Sequence, residues 1–390
     1  MNSVPITIGD STIEFVDVAE HVGIVRSVDG NLPHILNRIS AHRKALHAVL
    51  PAGLARAHRG NPIAALRVEK LYGVPVLLSG TASLVLKKSE VSILTQHYKN
   101  TLQNLLKLHD RTPDSVVYFL AGSLPAVAML HLKQLSLFSM ITRLSQNILN
   151  KIGRYILTVA NDRSRSWFLT VRDICQMYQL PHPLSQLDSP LSKEAAKQLF
   201  RFKVTDFWQT KLRNEADALP SLDYFKPQFM SLSRPHPIFQ SCGNNSYEIC
   251  KSIPQARMVS GRYRTDKLAR HFNAGSDGNC SLCSEKVPGS IDHILIKCVT
   301  LSEVRLHLLE KLENDNVSDI AKHLILSLMN SDNPRDTVQF LLDCSTISDV
   351  IFATQSFGVS VLEELFRFTR LWCFAIHKKK LKLQGRWIKV

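Results

Sequence analysis

The 390-residue sequence predicts a mainly α fold: a helical bundle with a short N-terminal β element and a small cysteine-rich region in its last third. Three observations predict it. Apolar residues recur at steps of three and four along several stretches, the period of an amphipathic helix. Strict apolar–polar alternation is confined to residues 6–30. Three of the eight cysteines fall in one short run, CSLCSEKVPGSIDHILIKC at 280–298, with a Pro-Gly pair inside it.

The elements follow in order. Residues 6–30, ITIGDSTIEFVDVAEHVGIVRSVDG, alternate and carry Gly and Asp punctuation, which predicts a strand pair or hairpin. Residues 32–50 switch to helical spacing, with Ile35, Ile39, Leu46 and Val49 on roughly one face. Gly and Pro at 51–62 end that helix, and a second crosses 62–79. A third follows Ser89, where Val91, Leu94, Tyr98, Leu102 and Leu105 share a stripe. Met129, Leu132, Leu135 and Leu144 mark another. Residues 179–190, QLPHPLSQLDSP, hold three prolines and predict a linker or boundary. Residues 193–214 are helical again, while 219–254, with five prolines, predict a long irregular connection. Helical spacing returns at 299–312 and at 359–377, where Val361, Leu365, Phe368 and Trp372 form one stripe. No internal repeat and no long heptad run is present.

Composition bounds the function. A hydrophobic content of 45% excludes a wholly disordered chain. Lys and Arg total 48 against 33 Asp and Glu, a formal charge of +15. Such an excess suits an anionic partner, nucleic acid first and an acidic membrane surface second. The few, scattered remaining cysteines do not resemble a secreted disulfide scaffold. The start, MNSVPITIGDSTIEF, lacks the basic and apolar regions of a signal peptide. The most span-like run, YFLAGSLPAVAMLHL at 118–132, contains a Pro and a His and falls short of the roughly twenty apolar residues a bilayer needs. The expectation is an intracellular protein, nuclear or cytoplasmic, with no membrane partner.

The cysteine run reads C-x2-C-x9-H-x4-C: Cys280, Cys283, His293 and Cys298. Thiolate sulfur and imidazole nitrogen are the usual donors to tetrahedral zinc. The C-x2-C step suits a tight turn that aims both sulfurs at one point, and Pro288-Gly289 lets the chain reverse to return His293. On a straight α-helix, positions five apart point about 140° apart. His293 and Cys298 can therefore converge only past a helix end or on a distorted turn. Cys280 and Cys283 alone could be a redox pair, and His293 alone a core histidine. The four together point to one structural Zn2+, because four protein donors leave no open position for water.

Just upstream lies ARMVSGRYRTDKLARHF at 256–272. Arg257, Arg262, Arg264, Lys267 and Arg270 interleave with Tyr263, His271 and Phe272. Guanidinium groups bind phosphate bidentately and aromatic rings stack on bases. The segment is either a solvated basic face or, beside a zinc knuckle, a nucleic-acid contact made by Arg257, Arg262, Tyr263, Arg264, Lys267 and Arg270. The C-terminal HKKKLKLQGRWIKV adds Lys378, Lys379, Lys380, Lys382, Arg386, Trp387 and Lys389 as a second basic stretch.

GRYRTDKLARHF followed by CSLCSEKVPGSIDHILIKC resembles the C-terminal region of non-LTR (LINE-type) retrotransposon reverse transcriptases. There an Arg-Thr-rich segment precedes a CCHC zinc knuckle with a long Cys-to-His gap. AEHVGIVRSVDG resembles the strand after the polymerase palm of that family, and HILNRISAHRKALHAVL the helix after it. LRVEKLYGVPVLLSGTASLVLKKSEVSILTQHYKNTLQNLLKL resembles the thumb, keeping a P-x4-G signature as Pro75 to Gly80. The resemblance covers roughly 15–110 and 256–298. It implies a helical thumb-like bundle that grips a template-primer duplex and a knuckle that engages RNA or target DNA. The family's palm carries its metal-binding carboxylates in an Asp-Asp motif, and this sequence has no Asp-Asp pair. No endonuclease signature is evident either.

The expected organisation is a palm-edge remnant at 1–60, a thumb-like domain at 61–178, a helix and Pro-rich linker at 179–255, the basic segment and zinc knuckle at 256–300, and a C-terminal helical region with a basic tail at 301–390. The expected function is a non-catalytic, nucleic-acid-binding C-terminal fragment of a reverse transcriptase. Two alternatives stand beside it. One is a zinc-stabilised protein-interaction scaffold, which would show an exposed apolar patch. The other is part of an RNA-directed DNA polymerase whose palm lies on another chain.

Overall fold

The computed structural model describes residues 6–8, 11–13, 16–28, 30–49, 60–144, 147–159, 165–272, 275, 277–314 and 317–385. Over these residues the protein is mainly α, with two small antiparallel strand pairs at its start. Two compact units interleave along the chain. The first takes Met1–Val49, Val68–Tyr98 and Pro125–Phe207, and the second takes Leu50–Arg67, Lys99–Leu124 and Trp208–Val390. Residues 61–178 thus supply both units, while the basic segment, the cysteine cluster and the C-terminal helices share one.

In the first unit, the alternating start forms two hairpins, Ile6–Ile8 with Ser11–Ile13 and Val18–His21 with Ile24–Ser27. The second turns at Val22 and Gly23, both with positive φ, which matches the twist of a two-residue hairpin. The helix Leu32–Val49 follows and buries Ile35, Ile39 and Leu46 as its spacing requires. Buried His34 ties it to both neighbours. Its Nδ1 accepts the Val25 amide at 3.2 Å, so its Nε2 donates to the Ser79 carbonyl at 3.1 Å. Gly80 sits beside this histidine at φ +73, where an added Cβ would lie 2.9 Å from Ile24 and 3.2 Å from His34. That contact and that φ explain why glycine closes the Pro75–Gly80 signature.

The helix expected over 62–79 is broken into Pro62–Val68, a π-helical turn Glu69–Gly73, and Val74–Leu77. Pro75 lacks an amide to donate to the preceding turn, and the wider turn gives its ring room. The Glu69 side chain folds over Gly73, whose Cβ, if present, would meet the carboxylate at 2.2 Å. Glu69 is buried and accepts from His42 Nε2 at 3.0 Å, while His42 Nδ1 meets His97 Nε2 at 2.9 Å. Lys88–Leu105 buries Leu94, Tyr98 and Leu102 of its predicted stripe. Ala126–Thr142, Ile148–Val159 and Trp167–Met177 complete the longer helices of this unit, and Lys193–Asp217 leaves it. The Pro-rich stretch expected as a linker contains a short helix, Pro183–Asp188. Pro183 occupies the first turn, where a missing amide costs nothing, and His182 caps Leu184.

The second unit is built around Val359–Leu383, which buries Val361, Leu365, Phe368 and Trp372 as predicted, with Phe366, Cys373 and Ile376 besides. The helices Ser246–Val259, Ser302–Asn314, Asp319–Met329, Pro334–Leu342 and Ser348–Phe357 pack against it. Ser246–Val259 corrects the expectation of an irregular 219–254. Asn245 caps its first turn, and Pro254 is accommodated inside it. Only 219–245 is irregular, with short 3-10 turns at Pro220–Leu222 and Pro227–Phe229 and one helical turn at Pro237–Gln240. Arg370 is buried on the central helix. It donates to Glu248 at 3.1 and 3.2 Å and to the Ser241 carbonyl at 3.2 Å, so its charge is paired and its donors are used. Gln255 donates to the Leu341 and Leu342 carbonyls and to Thr369, stitching three helices together. Among the described residues no single helix is long and apolar enough to cross a membrane.

Candidate metal centre

The cluster forms on a loop that doubles back and then enters a distorted turn. Gly278 at φ +79 opens the loop, and an isolated bridge joins Asn279 to Pro288. The Cys280 amide donates to Val287 at 2.8 Å and the Gly289 amide to Gly278 at 3.0 Å, closing the reversal. Lys286 carries the positive φ of the bend between Cys283 and Pro288. After Ser290 the chain winds into a π-helical turn, His293–Lys297, and Cys298 stands at its end. A π turn advances five residues per hydrogen-bonded loop instead of four, so His293 and Cys298 return to one face. The x4 spacing is resolved by a distorted turn, as the sequence required.

The four donor atoms lie within 4.8 Å of one another. Cys280 Sγ is 3.9 Å from Cys298 Sγ, and Cys283 Sγ is 3.4 Å from His293 Nε2. Bonds of about 2.3 Å to sulfur and 2.0 Å to nitrogen around a tetrahedral ion place donor pairs about 3.5–3.8 Å apart. The spacing therefore fits a single ion, and it is far too long for a disulfide. All the cysteines are free thiols. Among the described residues, no other group of three or more His, Cys, Asp or Glu donors converges in this way.

The electrostatics fit a cation as well. Burial lowers the pKa of His293, with Arg305 and Lys297 adding to that effect against Glu285, which keeps the ring neutral and able to donate a lone pair. Burial pushes the Cys298 thiol up to about 11, and the neighbouring Cys280 adds to it, while the Thr300 amide opposes both. Crowded thiols resist shared ionisation, and a divalent ion at their centre reverses that balance. The loop is braced from the central helix and the residue that ends it: Trp372 Nε1 donates to the Leu295 carbonyl at 3.2 Å and Gln384 to Ser281 Oγ at 3.1 Å. Arg305 donates to the Cys298 carbonyl at 2.7 Å, and Thr300 to the Leu282 carbonyl at 2.7 Å.

The basic segment is fastened to this loop. Thr265 caps the one-turn helix Asp266–Ala269. Asp266 Oδ2 accepts from the Ser281 amide and hydroxyl at 3.0 and 3.1 Å, and the Lys267 amide donates to Gly289 at 3.3 Å. Gly289 permits the approach, since a Cβ there would lie 2.8 Å from the Asp266 Cβ. Arg264, Lys267 and Arg270 are exposed, and Arg270 lies across Gly278. Arg257 is exposed on its flank, with Nε donating to the Lys107 carbonyl at 2.8 Å. Arg262 is half-buried, and its Nε is enclosed without a hydrogen-bond partner.

Tyr263 departs from the sequence reading. It is only 8% exposed, and its hydroxyl bonds His377 Nδ1 at 2.9 Å. Lys380 Nζ lies 5.0 Å from its ring centroid and donates to the Arg264 carbonyl at 2.6 Å. The ring is committed to the protein interior, so the expected stacking role for Tyr263 is corrected to packing. Lys380 is likewise buried, and Lys379 pairs with Glu303 at 3.3 Å, leaving Lys378 and Lys382 exposed on the C-terminal stretch. Arg386, Trp387 and Lys389 lie outside the described residues. His377 and Arg111 join this surface without any local sequence signal, because both reach it from distant segments.

Fold and site together define a mainly α protein with a Cys3His cluster able to hold a metal ion. No known protein family, curated protein or solved structure matches the chain.

Proposed function

We propose that the cluster holds one structural Zn2+ and that the surface beside it binds RNA or DNA. Four protein donors fill a tetrahedral zinc, so the ion supports the loop and its braces instead of activating a reactant. One observation carries the binding reading. The Asp266 carboxylate and the Lys267 amide fasten the segment to the cluster loop, while the side chains of Arg264, Lys267 and Arg270 are exposed. Guanidinium and ammonium groups presented this way suit phosphates. With the resemblance of the sequence, the chain reads as thumb and C-terminal part of a non-LTR reverse transcriptase without the polymerase carboxylates. The chain alone is then expected to give no primer extension with any divalent ion.

The test is fluorescence anisotropy with labelled RNA and DNA over a salt series. Phosphate binding releases counterions, so log K falls linearly with log salt, and four or five contacts cost about two to three decades between low and physiological salt. Arg264→Ala with Arg270→Ala is expected to flatten the slope by about two. Absence of binding at low salt refutes the reading, as does weakened binding with an unchanged slope.

A scaffold reading has one observation on its side. Ile148, Ile152, Tyr155 and Val159 of the first unit form an exposed apolar stripe at helical spacing. A scaffold predicts no salt-sensitive nucleic-acid binding, and an association that Tyr155→Asp abolishes.

A further inference from the structure

Phe272 ends the basic segment, and 57% of it is exposed. Singly exposed aromatic rings are common on protein surfaces, and this one is set apart by its surroundings. The Arg111 guanidinium lies 5.3 Å from its ring centroid. Arg111 does not arrive there on a loose loop. Buried Gln103 donates to the carbonyls of His109, Asp110 and Thr112, His109 Nδ1 accepts the Arg111 amide at 3.1 Å, and the Thr112 hydroxyl donates to the His109 carbonyl at 2.6 Å. The same loop receives Arg257 Nε on the Lys107 carbonyl. Phe272 is equally placed, since its amide donates to Ala269 at 3.0 Å at the end of the turn that Thr265 caps.

Two carboxylates of the segment and its loop, Asp266 and Asp277, are occupied. Asp266 accepts from Ser281, and Asp277 accepts from the Asn279 amide and side chain at 2.9 and 2.8 Å. An exposed aromatic ring is thus held on two well-braced turns, with Arg111 over it and Arg270 and Lys267 along the segment behind it.

We propose that Phe272 and Arg111 seat one unpaired base, so that this surface prefers single-stranded nucleic acid to duplex. The proposal rests on the binding reading above and adds the form of ligand to it. A paired base offers no free face to a side chain outside the helix, whereas an unstacked base offers one of any sequence. Phe272 supplies the stacking face, and Arg111 both caps the ring and reaches a flanking phosphate.

The experiment compares a labelled single strand, a blunt duplex of the same length and a single strand with abasic sites. The proteins are wild type, Phe272→Ala, Phe272→Trp and Arg111→Ala. Phe272→Ala is expected to weaken the single strand by about tenfold or more, with the salt slope unchanged because no phosphate contact is lost. Duplex and abasic binding should change by less than about twofold, and Phe272→Trp should restore the single strand. Arg111→Ala should lower the salt slope by about one. Equal losses on single strand and duplex, or no loss on either, overturn the proposal. An unchanged thermal midpoint for Phe272→Ala shows that the fold is intact. Wild-type protein that binds neither strand nor duplex removes the underlying reading, a result separate from binding without strand preference.

Discussion

Cys298 donates its backbone amide to the carbonyl of His293 at 2.7 Å, closing a five-residue turn where an α-helix would close a four-residue one. That single bond reconciles the C-x2-C-x9-H-x4-C spacing with a convergent site. It also ties the placement of the Cys298 thiol to the backbone of His293. Anything that relaxes this turn to regular helix separates Cys298 from the other donors.

Removing the proposed zinc should therefore be felt in the backbone as well as at the four donors. Purified protein is expected to carry one zinc per chain by elemental analysis, and Cys283→Ser to lose it. A chelator should raise amide exchange at 278–300 first, with Trp372, whose indole bonds Leu295, reporting by fluorescence. Full stoichiometry in the Cys283→Ser protein would place the metal on other ligands.

Gly289 lies where the basic segment packs against the cluster loop. Its Cβ in Gly289→Ala would meet Asp266 Cβ at 2.8 Å and the Cys280 Cα at 3.2 Å. Both contacts are with atoms near the backbone, which cannot swing away. The expected cost is about 1–3 kcal/mol by denaturant unfolding. Gly275→Ala, with nothing within 4 Å of its added Cβ, serves as the control. Equal stability of the two variants would mean that the two segments are not packed as described.

How much of this was legible in the sequence depends on how local each cause is. The stripe Val361, Leu365, Phe368 and Trp372 announces itself by period, because one helix face meets one core. The convergence of Cys280, Cys283, His293 and Cys298 announces itself by residue type and spacing. The helix Ser246–Val259 did not, because Pro254 and a Ser- and Asn-rich approach mimic a loop, and only the Asn245 cap hints at its start. Tyr263 read as a surface aromatic because its neighbours in sequence are arginines. Its true partners, His377 and Lys380, lie on a helix more than a hundred residues away, and no window of local sequence contains them. The interleaving of two units is hidden for the same reason.

The last expectation concerns acid. His131 is held near a pKa of about 4 by burial, with its Nδ1 bonded to the Tyr178 hydroxyl. His377 is held at about 4 by burial first, then by the charges of Arg257 and Lys380. One histidine lies in each unit. Both stay neutral in the folded chain at pH values where the unfolded chain, near 6.5, has already taken up the proton. Above about pH 6.5 neither state binds the proton, and their contribution to stability is fully present. As the pH falls from about 6.5 toward 4, the unfolded state gains protons that the folded state refuses, and stability drops by up to about 1.4 kcal/mol per pH unit for each such group. Asp343 extends the loss to lower pH. Burial alone would raise its pKa, but His236 and Ser345 hold it below the usual value, so its contribution falls away only as the pH passes below the carboxylate range. Urea midpoints should therefore stay level from pH 7.5 to about 6.5 and decline from there to pH 5, and the imidazole resonance of His131 should not titrate over that range. A flat profile, or a His131 resonance that titrates near 6.5, would mean that these rings are open to water in solution.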